Sequence, residues 1–362
     1  MTKPAELILH IGHYKSGTTA LQVFCTSNAA ALERQGLHYA QYPLKMLKHS
    51  GLAYSVLRDA GVETMLYDFK AEENAVQMWS KVFDAVRALD PGQSLLVSSE
   101  EFMRIGAHPA ATEVLREVFA GAPDIPVRVI AYVRAPHDHL RSWYNQLIKL
   151  GISVGNFETA VRSEIEVIHW DYARALEPWL SVFGEERVIV RQFQDDLREG
   201  DGLYADFLEA LGFGLPITAK VPERDPNPRM DDRILDLKRA FIRANLTKPV
   251  INQAVERALE NLAAEDGAGG LADAPTFEEI RSTSKAGIDA LSALPNTNLN
   301  PEKMLSHLPR PLSEDARQMG DLVTLLAGEM ANMRNHQQRL NRRLTALENS
   351  IETAPGGKKG KR

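Results

Sequence analysis

The chain has 362 residues, of which 44% are hydrophobic and 25% charged, and its formal net charge is −6. This composition is typical of a globular protein with one or two domains, and the acidic balance argues against a general nucleic-acid binder. The single cysteine excludes an internal disulfide framework and is typical of a reducing compartment. Because the sequence has neither a run of about 18 apolar residues nor a signal-peptide pattern, we expect a cytoplasmic chain without a membrane span.

The first predicted structural unit covers residues 7–22, where a short apolar strand leads into a turn and then a helix. The strand breaks at Gly12 and the helix begins near Gly17. Such a corner leaves backbone N–H groups at the positive end of the helix dipole, and together they favour a phosphate or sulfate group. Lys15 adds a positive charge within the loop. The alternative is an ordinary strand–turn–helix corner that binds nothing.

The spacing of this loop differs from that of a nucleoside-triphosphate P-loop, which reads G-x-x-x-x-G-K-[ST]. Gly12 and Gly17 have the P-loop separation, but Thr18 occupies the lysine position and Lys15 lies upstream. The loop instead resembles the 5′-phosphosulfate-binding loop of sulfotransferases, which use 3′-phosphoadenosine 5′-phosphosulfate (PAPS). The resemblance implies that the donor is bound by Tyr14, Lys15, Ser16, Gly17, Thr18 and Thr19.

After the loop, the apolar pattern alternates between the strand and helix periods. Continuous apolar runs predict strands at residues 94–99, 127–133 and 187–190. Amphipathic spacing predicts helices at 18–35, 71–89, 109–120, 136–150, 171–183 and 202–211. Residues 37–70, rich in tyrosine and histidine, either line an acceptor cleft or form a partly exposed loop and helix. The alternation predicts an α/β fold, a P-loop-like three-layer sandwich with a central parallel sheet, and ligands bind such sheets at the carboxyl ends of the strands.

A second anion-binding pattern lies where the predicted strand 127–133 ends. Arg134 follows the strand, and a helix that begins with proline carries Ser142. The two side chains can converge on one anion, to which the arginine donates bidentate hydrogen bonds. The pattern resembles the 3′-phosphate-binding motif of sulfotransferases, although Ala135 stands where an acidic or polar residue is common. The resemblance covers roughly residues 7–245.

The resemblance also implies which side chains carry the reaction. The acceptor hydroxyl attacks sulfur in line, and negative charge develops on the departing 5′-phosphate. Lys15 is the candidate for neutralising this leaving group, because preorganised positive charge should supply much of the rate, as in phosphoryl transfer. The candidates for the base that takes the acceptor proton are Glu100 and Glu101 after the strand 94–99 and His13 in the loop, with Glu100 favoured first and His13 second. No metal-ligand spacing is visible in the sequence, so no metal is expected.

The C-terminal third has a different character. Residues 251–312 are predicted to form an irregular or helical linker region, and residues 354–362 a disordered basic tail. Between them, apolar positions repeat in steps of four and three residues and predict a coiled-coil helix at 313–353, through which the chain forms a homo-oligomer. The positions of this heptad seam are Met319, Val323, Leu326, Met330, Met333, Gln337, Leu340, Leu344, Leu347 and Ile351.

These patterns together predict a sulfotransferase-like catalytic domain at residues 1–250. The resemblance implies transfer of a sulfuryl group from PAPS to a hydroxyl acceptor, a carbohydrate or glycolipid, with release of the desulfated nucleotide PAP. One alternative is a P-loop kinase that uses ATP and magnesium, against which stand the displaced lysine and the lack of an aspartate directly after strands 94–99 and 127–133. The other is a non-catalytic nucleotide-binding scaffold built around the coiled coil, which would have no need of Lys15 beside a strand-end carboxylate.

Overall fold

A computed structural model describes residues 3–63, 69–150, 152, 154–221, 274–311 and 332–349 of the chain. A parallel sheet with the strand order β2-β3-β1-β4-β5 forms its centre. This sheet confirms the predicted fold class. Its strands are β1 (Glu6–Gly12), β2 (Leu37–Tyr39), β3 (Ser94–Ser98), β4 (Val127–Val133) and β5 (Val188–Gln192).

Helices lie between and after the strands along the chain. None of the helices in the described ranges is long and apolar enough to cross a bilayer. In chain order the helices are α1 (Thr18–Ser27), α2 (Ala29–Glu33), α3 (Ser50–Asp59), α4 (Ala75–Arg87), α5 (Pro109–Ala120), α6 (Pro136–Lys149), α7 (Phe157–Thr159), α8 (Tyr172–Phe183), α9 (Gly202–Ala210), α10 (Phe277–Ser292) and α11 (Pro301–Leu305), followed by α12 at residues 332–349.

Each face of the sheet packs into its own hydrophobic cluster, because successive side chains of β1 point to opposite faces. Leu7, Leu9 and Ile11 are fully buried in one cluster, whereas Ile8 is fully buried in the other. Burial on both faces explains why β1 and β4 read as continuous apolar runs rather than as alternating patterns. The chain crosses from β3 over β1 to β4, so the strand order reverses beside β1, which is where open parallel sheets bind ligands.

Two features of the structure depart most clearly from the predicted elements. The helix predicted at 18–35 is broken at Asn28, whose side-chain amide donates to the carbonyl of Phe24 at 2.9 Å and to that of Lys220 at 3.0 Å. The N–H of Lys220 donates back to the Asn28 side chain at 2.7 Å, so a partner far along the chain stabilises the break. The strand β2 was not predicted, since its three residues are too few to establish a period.

The contacts divide the chain into two compact units. The first contains the described residues within 1–143, 165–229 and 275–310, and so includes the sheet. Part of the region predicted as a linker is therefore packed onto this unit. Ser284 on α10 donates to the carbonyl of Trp170 at 2.7 Å, and the chain after α10 pairs with β5 at Val190. The predicted domain boundary at residue 250 lies outside the described residues.

The second unit contains the described residues of Tyr144–Glu164 and the helix α12. In its first segment the hydroxyl of Tyr144 donates to the carbonyl of Gly155 at 3.0 Å, and the N–H of Gly155 donates to Glu164 at 2.8 Å. On α12, Leu340, Leu344 and Leu347 have exposures of 48%, 56% and 62%. These three leucines belong to the predicted seam, of which Met319, Val323, Leu326, Met330 and Ile351 lie outside the described residues.

Self-association through the seam therefore stays a prediction, and it has a direct test. We expect a variant that ends at Ala316 to have fewer chains per particle than the full chain in light scattering, because it lacks the leucines that pack against a second copy. Leu344→Glu should have the same effect, since it places a charge within the seam. Thr345→Glu adds the same charge beside the seam and should leave the mass unchanged. The same number of chains per particle in the full chain and the truncated variant would contradict self-association through α12.

Candidate active site

Between the end of β1 and the start of α1, three residues have left-handed backbone conformations. Gly12, Lys15 and Gly17 have φ values of 76°, 61° and 82°. A Cβ at Gly17 would lie 2.8 Å from the side chains of Leu203 and Phe193, so packing as well as φ requires glycine there. Gly17 is also the N-cap of α1, and no side chain caps this helix end. The first N–H groups of α1, which like those of any helix have no intrahelical partners, are therefore not capped by a side chain, as an anion-binding site requires.

The loop is stabilised from within by bonds to His13. Ser16 Oγ donates to the His13 carbonyl at 2.6 Å, and Thr18 Oγ1 donates to the same oxygen at 3.1 Å. The N–H of Tyr14 donates to His13 Nδ1 at 2.8 Å. Tyr14, Ser16 and Thr18, all predicted to bind the sulfuryl donor, thus each donate a hydrogen bond to His13 within the loop in this conformation. Thr19 is exposed.

His13, the second candidate base, is enclosed rather than accessible. Its side chain is fully buried, its Nδ1 accepts from Tyr14, and its Nε2 donates to the Ile168 carbonyl at 2.9 Å. Burial lowers the pKa of His13 to about 4, and the hydrogen bond to the Ile168 carbonyl partly opposes this shift. Accepting a further proton would break the Tyr14 bond. This geometry favours a structural role for His13 and leaves Glu100 as the better candidate base.

Two more buried histidines contact His13. The ring centroids of His139 and His169 lie 4.2 Å and 5.1 Å from that of His13, and His139 Nε2 and His169 Nδ1 share a hydrogen bond of 2.9 Å. The three residues offer ligand atoms within 4.8 Å of one another, an arrangement that their sequence spacing does not indicate. A metal ion would have to displace the hydrogen bonds of His13 or the bond between the other two rings. The expectation that no metal is needed therefore stays a prediction.

The charges of Lys15 and Arg134, the two predicted cationic donor-binding residues, both act on the same histidine. The pKa of His139 is lowered first by burial, then by His13 and His169, and also by the charges of Arg134 and Lys15. Arg134 is buried, and its carbonyl accepts from the buried hydroxyl of Tyr172 at 2.7 Å, which fixes the end of β4. Ser142 is half-buried on α6.

Glu100 lies at the carboxyl end of β3, against the loop. A Cβ at Gly12 would lie 2.9 Å from Glu100 Cα, so the glycine permits this close approach. Lys48 Nζ lies 2.6 Å from Glu100 Oε1 and 2.7 Å from Glu101 Oε1, and Gln22 donates to Glu100 at 3.2 Å. Burial and the neighbouring Glu101 raise the pKa of Glu100, and Lys48 opposes this shift. A raised pKa suits a base that works near neutral pH.

Lys48 and Gln22 were not predicted as site residues. Gln22 lies four residues after Thr18 on α1, so helical spacing could have placed it on the same face. Lys48 lies in the segment 37–70, which has no clear period. Only the folded chain brings this lysine to the end of β3.

Acid should destabilise the folded unit through its buried histidines. Burial lowers the pKa of His10 to about 3 and that of His13 to about 4, and His139 and His169 are shifted in the same direction. The unfolded chain binds protons on these rings below about pH 6.5 whereas the folded chain does not, so stability is retained above that pH and lost as pH falls toward about 4. Each ring contributes at most about 1.4 kcal/mol per pH unit. The raised pKa of Glu100 acts in the opposite direction, but it is one group, and His49 and His137 also have lowered pKa values.

Urea unfolding at about pH 7.5 and about pH 5 measures this effect. We expect a lower free energy of unfolding at the lower pH. Equal or greater stability at about pH 5 would contradict the neutral, buried state of these histidines.

Comparison with known proteins gives weak similarities. No family model matches the chain. An uncharacterized protein of Archaeoglobus fulgidus is 29% identical over 137 residues, which are 38% of this chain and 34% of the relative, so the chain spans about a third of that protein's length.

Among solved structures, a sulfotransferase from Alicyclobacillus acidocaldarius has a TM-score of 0.39 and 18% identity, and the match covers 66% of this chain and 91% of that one. A sulfotransferase domain from the curacin biosynthetic pathway has a TM-score of 0.30 and 14% identity, with coverage of 63% and 79%. Similarities this weak establish neither a family nor an activity for this chain.

Proposed function

We propose that the protein transfers a sulfuryl group from PAPS to a hydroxyl acceptor. One observation carries the proposal: neighbouring strands of one sheet end in three different chemical groups. The loop with Lys15 follows β1, the candidate base Glu100 follows β3, and Arg134 follows β4. A nucleotide with one anion at each end, and an acceptor that must lose a proton, needs these three groups together.

The chain's own residues suit the two ends of this donor. The uncapped start of α1 supplies N–H groups for the 5′-phosphosulfate, and Lys15 supplies the charge that stabilises the leaving group. Arg134 and Ser142 are proposed to bind the 3′-phosphate. In the reaction a bond forms between the acceptor oxygen and sulfur, the bond from sulfur to the 5′-phosphate oxygen breaks, and PAP leaves. Glu100 takes the acceptor proton.

Glu100 is suited to this task by its surroundings. Lys48 and Gln22 fix its carboxylate at hydrogen-bonding distance, so the base is oriented before the acceptor arrives. Its raised pKa keeps the carboxylate basic enough to take a proton. A carbohydrate or glycolipid is proposed as the acceptor from the family resemblance alone.

The test is transfer of label from radiolabelled PAPS to carbohydrate and lipid fractions. We expect labelled product and a matching amount of PAP. Lys81→Ala removes an exposed lysine on α4 and should leave transfer unchanged, which makes it a control for the site variants. If PAP is not released with any hydroxyl acceptor, the protein is not a sulfotransferase.

A further inference from the structure

The carboxylate of Glu101, one of the three candidate bases, is surrounded by hydrogen-bond donors. Its Oε1 accepts from Lys48 at 2.7 Å and from the hydroxyl of Tyr54 at 3.2 Å. Its Oε2 accepts from the hydroxyl of Ser50 at 3.0 Å and from that of Ser99 at 2.5 Å. A carboxylate has about four lone-pair sites, so these donors occupy its capacity. Taking up a further proton would displace one of them.

The two neighbouring glutamates also differ in access. The side chain of Glu100 is 15% exposed, whereas that of Glu101 is 0% exposed, so an acceptor hydroxyl can approach only the former. Lys48 lies between them, with its Nζ 2.6 Å from Glu100 Oε1 and 2.7 Å from Glu101 Oε1. One ammonium group thus joins an accessible carboxylate to an enclosed one.

The backbone holds Lys48 in place through an unfavourable turn. Lys45 and Lys48 exchange backbone hydrogen bonds of 2.9 Å and 3.1 Å across Met46 and Leu47, whose φ values are 49° and 69°. Two-residue turns of this kind favour Asn-Gly, because left-handed backbone is costly for residues with large side chains. Directly after the turn, the N–H of His49 donates to the last carbonyl of β3 at 2.9 Å. The chain is therefore fixed on both sides of the lysine.

We infer that Glu101 is a positioning residue, which holds Lys48 beside Glu100 and is not itself the base. The inference rests on the proposed function for the role of Glu100, while the hydrogen bonds of Glu101 do not depend on it. Because Lys48 is shared, Glu100 has an oriented hydrogen bond without receiving the whole charge of the ammonium group. When the acceptor proton moves to the Glu100 carboxylate, Lys48 keeps its own proton and stays bound to Glu101.

Lys48 and Glu101 act on the pKa of Glu100 in opposite directions. Burial and Glu101 raise this pKa, and Lys48 lowers it. Two tyrosines on neighbouring elements, Tyr14 after β1 and Tyr39 on β2, also interact with Glu100, but burial raises their pKa values and keeps both phenols neutral near neutral pH. Removing the charge of Glu101 should therefore lower the pKa of Glu100.

The test is the pH profile of kcat/KM for Glu101→Gln, with Glu117→Gln on the exposed face of α5 as the control. Glutamine keeps the shape of the side chain but loses the charge that holds Lys48. We expect the acid limb of the profile to move to lower pH by about one unit and kcat to fall less than about tenfold. The control should change neither.

Two results of this experiment would overturn the inference. Loss of the acid limb together with a fall in kcat of about a hundredfold would make Glu101 the base. An unmoved limb would mean that Glu101 only stabilises the fold.

A measurement without turnover separates this inference from the proposed function. In carbon NMR of protein labelled at the glutamate carboxyl carbons, the signal of Glu100 is the one missing from Glu100→Gln. Its titration midpoint should be lower in Glu101→Gln than in the wild type. That shift without any sulfuryl transfer would support the positioning role and contradict the proposed function. Transfer with an unmoved midpoint would support the proposed function and contradict the positioning role.

Because Glu101 is buried, a further measurement avoids replacing it. The ammonium protons of Lys48, assigned by their absence in Lys48→Met, should exchange slowly with water while a carboxylate holds them. We expect nitrogen NMR to show this signal in Glu100→Gln, where Glu101 still binds the lysine. Its loss in Glu100→Gln would mean that Glu101 does not hold Lys48.

Discussion

Replacing Lys15 by alanine is expected to lower the rate of sulfuryl transfer by about a hundredfold to a thousandfold, the usual cost of removing one preorganised donor to a developing negative charge. Because that charge appears on the leaving oxygen only as the bond to sulfur breaks, the loss should fall on kcat rather than on KM. The measurement is steady-state release of PAP from PAPS with an acceptor found in the labelling experiment.

The Lys15 variant should remain folded, since this half-buried side chain belongs to neither hydrophobic cluster. Thermal unfolding monitored by circular dichroism checks this directly. Lys81→Ala serves as the matched control, because it removes an equal charge from an exposed position on α4. Near-normal kcat in Lys15→Ala would remove the leaving-group role from this residue.

Replacing Glu100 by glutamine should lower kcat by about a hundredfold or more, the usual contribution of a positioned general base. The amide keeps the shape of the side chain and its contact with Gln22 but cannot take the acceptor proton. Glu117→Gln, at an exposed position on α5, is the control. Full activity in Glu100→Gln would mean that the base is elsewhere.

The pH profile separates a base from a merely structural carboxylate. In the wild type, kcat/KM should fall on the acid side as Glu100 becomes protonated, and this limb should be absent in Glu100→Gln. Lys48→Met should move the acid limb to higher pH, because Lys48 opposes the rise in the pKa of Glu100. If the acid limb is unchanged in both variants, it reports the titration of a group other than Glu100.

Much of the architecture could be predicted because its signals are local. The strand β4 and the helix α5 have the predicted bounds, since an unbroken apolar run predicts the former and a proline at the first turn the latter. The helix α4 begins later than predicted, at a capping box formed by Asn74 and Gln77.

The features that escaped prediction depend on partners distant in sequence. The break at Asn28 is stabilised by Lys220, and the position of Lys48 depends on carboxylates at the end of β3. Likewise, the contacts among His13, His139 and His169 arise only when the loop after β1, the helix α6 and the segment before α8 meet. No local period encodes such contacts, so residue type alone could suggest a base but not its surroundings.

The central claim is that the loop after β1 and Arg134 together bind a 3′-phosphorylated nucleotide. Its most direct test is calorimetric titration of the full chain with PAP, and separately with ATP and magnesium. We predict that PAP binds more tightly than ATP with magnesium, and that Arg134→Ala weakens PAP binding at least about tenfold while Arg116→Ala does not. Tighter binding of ATP with magnesium would contradict the claim and favour a kinase, and binding of neither would favour a scaffold.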